Sequence, residues 1–124
     1  MSQELLDALR RVRDGMLAGK YVHIRPEYPV KQMVTILVDR PKEQIASKRL
    51  FNMCWWVADT DCGTCGCIGG WVEVELGRVL TEEEDRTAYA LFYSNISMDV
   101  TTRSAALAIN KFLNGKEPWP MVRA

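Results

Sequence analysis

Three stretches of the chain place apolar residues at helical spacing and carry their own end signals, which predicts a helical fold from pattern alone. In residues 3–18, Leu5, Leu6, Leu9, Val12, Met16 and Leu17 recur at intervals of three, four and seven, with Arg10, Arg11, Arg13 and Asp14 between them. Ser2 supplies an N-cap hydroxyl and Gly19 a residue free to turn left-handed just past the end. In residues 81–94, Thr81 and Glu84 have the spacing of a capping box. Glu82 to Asp85 put negative charge at the positive end of the helix dipole, and Ala88, Leu91 and Phe92 form an inward stripe. Residues 102–114 repeat the pattern, with Thr101 or Thr102 as cap, Ala105, Ala106, Ile109, Phe112 and Leu113 as the stripe, and Gly115 as terminator.

The rest of the chain is less periodic. Pro26 and Pro29 make residues 21–31 irregular, because each lacks a backbone donor and restricts its predecessor. Met33 to Val38 is rich in β-branched residues and reads as a short strand. Its best partner is Trp71 to Leu76, which alternates apolar and acidic residues, but the same residues can continue a helix from Cys65, and periodicity does not decide between the two. Pro118-Trp119-Pro120 lays an aromatic ring back onto the body of the protein, Trp119 being the tryptophan expected nearest the surface. The expectation is a mainly α single domain over residues 1–124, with room for a short β strand or hairpin.

Composition narrows the classes of function. The chain has 124 residues, 48% of them hydrophobic, which is enough to bury one core and excludes a disordered or collagen-like chain. No apolar run is long enough to cross a bilayer, and the N-terminal residues lead into a charged amphipathic segment, so the expected protein is soluble and cytoplasmic, without a membrane partner. Sixteen basic residues balance sixteen acidic ones, which argues against a protein that holds nucleic acid by neutralising phosphates. The balance hides an asymmetry: residues 1–50 are net basic and residues 51–124 net acidic, so the halves can attract one another. Arg10, Arg11, Arg13, Lys20, His23 and Arg25 could contact nucleic acid, but the three arginines span more than one helix face and form no single stripe.

Chemistry worth weighing lies in Cys54, Cys62, Cys65 and Cys67, four thiols within fourteen positions. Four thiolates can hold a structural zinc ion, but typical sites split into two separated pairs, whereas Cys65 and Cys67 are two apart. Cys62-Gly63-Thr64-Cys65 has redox-dithiol spacing, yet residues 66–117 hold no proline to face it as a thioredoxin-like site requires. A nucleophilic Cys-His pair has only His23 to draw on. The alternative is packing: cysteine behaves as a small apolar residue, Thr64 can cap a following helix, and Trp71 fills the core beside Ile68. On that view the helix starts just after Thr64, with Cys67 inward and Cys65 the more exposed.

The run Phe51-Asn52-Met53-x-Trp55, followed by Cys62-Gly63-Thr64-x-x-Cys67-Ile68-x-Gly70-Trp71 and an Ala-x-x-Leu-Phe pattern at Ala88, Leu91 and Phe92, resembles a family of uncharacterised small proteins of bacteria and their phages. The likeness covers about residues 50–115. This chain departs from it in Gly69, where the family carries alanine, in the extra Cys54 and Cys65, and in residues 20–48, which read as an insertion. The resemblance implies a mostly helical fold with residues 65–77 helical, and no particular activity. With no phosphate loop, no metalloprotease motif and one histidine, the chain reads as a non-enzymatic protein-binding accessory, encoded by a phage or mobile element and acting on a host machine such as a defence system. Trp119 and Trp55 are its candidate binding residues, no residue is assigned as catalytic and no cofactor is expected. The alternative is a small zinc or thiol-redox protein using Cys54, Cys62, Cys65 and Cys67.

Overall fold

A computed structural model describes residues 1–23, 49–54, 57–60, 63–97 and 99–119, the side chains of 57–60 and 63–65 excepted. The first and last helices lie where spacing and caps put them. α1 spans Gln3–Leu17, with the Ser2 hydroxyl accepting from the Leu5 amide and Gly19 at φ 77°. Its inward stripe of Leu5, Ala8, Leu9, Val12 and Met16 is buried against α2 (Ile68–Leu76) and α5 (Thr102–Leu113). Each leucine so buried contributes roughly 1.5–3 kcal/mol. Thr101 caps α5 through the Ser104 amide.

Residues 81–94 form two short helices rather than one. α3 (Glu82–Thr87) starts on the complete Thr81–Glu84 capping box, and α4 (Tyr89–Tyr93) follows a hinge at Ala88 with φ −98° and ψ 15°. The Ala88 carbonyl accepts from both Leu91 and Phe92, a tightened turn that keeps Ala88, Leu91 and Phe92 all in the core.

The fold is mainly helical, with a small sheet of short strands packed against the helices. β1 (Tyr21–His23), β2 (Arg49–Phe51), β3 (Val57–Thr60) and β4 (Gly63–Gly66) run in the order β1-β2-β4-β3, with β1, β2 and β4 parallel and β3 antiparallel to β4. Residues 33–38, read as a strand from sequence, lie outside the described residues.

The start of α2 corrects the expectation that a helix follows directly on Thr64. Thr64 and Cys65 pair in β4 opposite Arg49 and Leu50, and Cys67 is the N-cap, its Sγ accepting from the Gly70 amide at 3.5 Å. Trp71 to Leu76 is helical, and Gly77 at φ 70° ends it. Ile68 through Val74 are all buried, so α2 has no polar face to generate a helical period. Its acidic residues are absorbed individually. The Glu73 carboxylate, 5% exposed, accepts from the Leu80 amide at 2.8 Å and so ties down the turn after the helix.

One continuous core joins the helices to the sheet around Trp71, Phe51 and Phe92. The Trp71 indole donates to the Leu50 carbonyl at 2.9 Å, and the Tyr21 ring meets it edge-on with centroids 5.2 Å apart. The Arg49 guanidinium lies over both rings, 5.6 Å from the Tyr21 centroid and 5.3 Å from that of Trp71. The opposite charges of the two halves do meet: Glu75 pairs with Arg49 at 3.0 Å and with Arg11 at 3.4 Å.

A candidate docking groove beside the last helix

Trp119 is not a surface residue. The chain turns back after α5 at Gly115, φ 72°, with the Lys116 amide donating to the Lys111 carbonyl at 2.8 Å. It then runs past α4, where the Trp119 indole donates to the Leu91 carbonyl at 2.9 Å. Leu91 lies in the last turn of α4, where a carbonyl has no intrahelical amide to accept from, so the indole supplies the missing donor and the ring is left 7% exposed.

What Trp119 and Pro118 do form is the end wall of a groove of about 380 Å³. One side is α5, which presents Ser104, Leu107, Ala108 and Lys111 at intervals of three, four and seven. The other side is Asn95, Ser97, Asp99 and Val100. Two of the polar groups in the walls have local partners: Ser97 Oγ accepts from the Asp99 amide at 3.1 Å, and Ser104 Oγ accepts from Thr101 Oγ1, beside the groove, at 3.1 Å. Leu107, 53% exposed, is the side chain the groove offers outward, and Ile96 nearby is 56% exposed. The sequence reading missed both. Leu107 falls between the core positions Ala106 and Ala108, so its outward direction depended on the exact placement of α5.

Of the four cysteines, the structure describes the side chains of Cys54 and Cys67. Cys54 is exposed and its amide donates to the Asn52 side chain at 2.9 Å, whereas Cys67 is buried as the α2 cap. Burial pushes the Cys67 thiol up to about 11, and burial and Asp99 together raise that of Cys54, so neither is poised as a thiolate. Cys62 and Trp55 lie outside the described residues, and of Cys65 only the backbone is described. Among the described residues no three His, Cys, Asp or Glu side chains cluster in a metal-holding arrangement.

Comparison with protein families, curated proteins and solved structures gives no match. The geometry is therefore the guide to function. A concave surface with exposed Leu107 beside Val100, Ala108 and Trp119 can seat an apolar side chain of another molecule. Among the described residues no helix is long and apolar enough to cross a membrane.

Proposed function

We propose that this chain is a non-enzymatic accessory protein that acts by binding another protein, and that the α5 groove is where it binds. The observation that carries the reading is the exposed Leu107 beside a pocket walled by Pro118, Trp119, Val100 and Ala108. Such a pocket takes one or two apolar side chains from a short segment of a partner, with polar groups at the rim to fix its direction. The raised thiols of Cys54 and Cys67 support a binding role over thiol chemistry. The resemblance over residues 50–115 supports a phage or mobile-element origin, and with it a host protein, such as a component of a defence system, as the partner.

Affinity capture from the native host with tagged parent and tagged Leu107→Glu tests the reading. Leu107 is exposed, so the variant keeps the fold, which a thermal melt verifies. A protein captured by the parent and lost from the variant is expected. Identical capture by both would exclude the groove as the binding site.

A further inference from the structure

The basic character of residues 1–50 has an outlet that the groove does not use. A cleft of about 790 Å³ opens between the end of α1 and the starts of β1 and β2. Arg11, Lys20 and Arg49 all line it, and all three come from the basic half of the chain. The acidic residues in the lining are already engaged: Asp14 takes Arg13 at 3.0 Å, and Glu75 takes both Arg49 and Arg11.

The cations are not used up in the same way. Arg49 makes both its contacts, to Tyr21 Oη at 2.9 Å and to Glu75 Oε1 at 3.0 Å, through a single nitrogen, Nη1. Its Nε and Nη2 donate to no other described residue, and the side chain keeps 22% of its surface open. The two aromatic rings and Glu75 hold the guanidinium still, so its unused donors are pre-oriented rather than free to sweep. Lys20 stands at the rim with no ion pair or side-chain hydrogen bond among the described residues. Arg11 is half exposed, with one contact of 3.4 Å to Glu75.

We propose that this cleft is a binding site for a phosphate-bearing small molecule, received by the free donors of Arg49 and completed by Lys20 and Arg11. A fixed guanidinium presents a planar pair of donors that phosphate oxygens match, and a tetrahedral anion can accept from cations on three sides as a planar carboxylate cannot. The volume lies in the range of small-ligand sites, ~300–1,000 Å³.

Titration calorimetry of the full chain with inorganic pyrophosphate, at fixed ionic strength, tests this. Saturable one-site binding is expected, weakened about tenfold or more in Lys20→Met. Lys20→Met removes an exposed charge with no partner among the described residues, so its fold is not at risk, and Leu107→Glu, in the separate groove, should bind pyrophosphate as the parent does. Non-saturable heats, affinity unchanged in Lys20→Met, or citrate binding as tightly as pyrophosphate would each overturn the assignment.

Discussion

Trp119 shows how one hydrogen bond decides which side of the surface a residue occupies. Proline on each side and a position near the end of the sequence suggest an anchor for a partner, but the open carbonyl of Leu91 draws the indole inward. Nothing local to residues 118–120 reports on that carbonyl, because it depends on α4 ending where it does. Trp119→Ala is therefore expected to destabilise by about 3–5 kcal/mol, read as a shift of the urea midpoint. A small shift would mean that the ring is peripheral. Cys67 was legible as buried but not as a cap, since the strand before it hides where α2 begins. A serine hydroxyl is a better cap acceptor than a thiol, so Cys67→Ser should lose much less stability than Cys67→Ala, for which about 1 kcal/mol is expected. Equal losses would show that packing alone holds Cys67 in place. At pH 8, iodoacetamide should label Cys54 well before Cys67, because burial both shields the Cys67 sulfur and keeps it protonated; peptide mapping by mass spectrometry reads the order.

At the scale of elements, α1 and α5 were legible because each has one wet and one dry face and a side-chain cap, and the start of α3 was legible from its capping box alone. α2 was not, and the reason is physical: a helix buried on all sides carries no period, and Trp71 to Leu76 happen to alternate as a strand does. The joint between α1 and β1 is equally silent in the sequence. A Cβ on Gly15 would stand 2.7 Å from Tyr21 Cε1, and that ring is packed on Trp71 and Arg49. Gly15→Ala should therefore destabilise by roughly 1–3 kcal/mol in a thermal or urea melt, although alanine is the better helix former by ~1 kcal/mol. Net stabilisation would show that Tyr21 yields without loss. The capping box of α3 predicts a pH dependence. The Arg78 guanidinium, with help from the Thr81 amide and the Ser2 hydroxyl, holds the Glu84 carboxyl at about 2 against an ordinary 4.5. A carboxylate held below its unfolded value stabilises the fold above pH 4.5, and that contribution is lost as the pH falls from 4.5 toward 2. Glu84→Gln should be less stable than the parent at pH 7, with the gap closing across that window in urea melts; a constant gap would contradict the assignment.

For the whole molecule, the mainly helical fold was readable and the pairing of its strands was not. The described strands are three or four residues long, and β1 and β2 pair across a long stretch of intervening sequence, so no local pattern announces them. The same holds for the groove and the cleft. No motif links Leu107 to Val100 or to Trp119, and only folding brings the three around one space. If the protein works through that space, a partner must touch Leu107. A photo-crosslinking residue placed at position 107, compared in the native host with the same residue at Val79, which is 57% exposed and does not line the groove, tests this most directly. One discrete partner adduct is expected from position 107 and none from position 79. No adduct from 107, or the same adducts from both positions, would contradict a binding role for the groove.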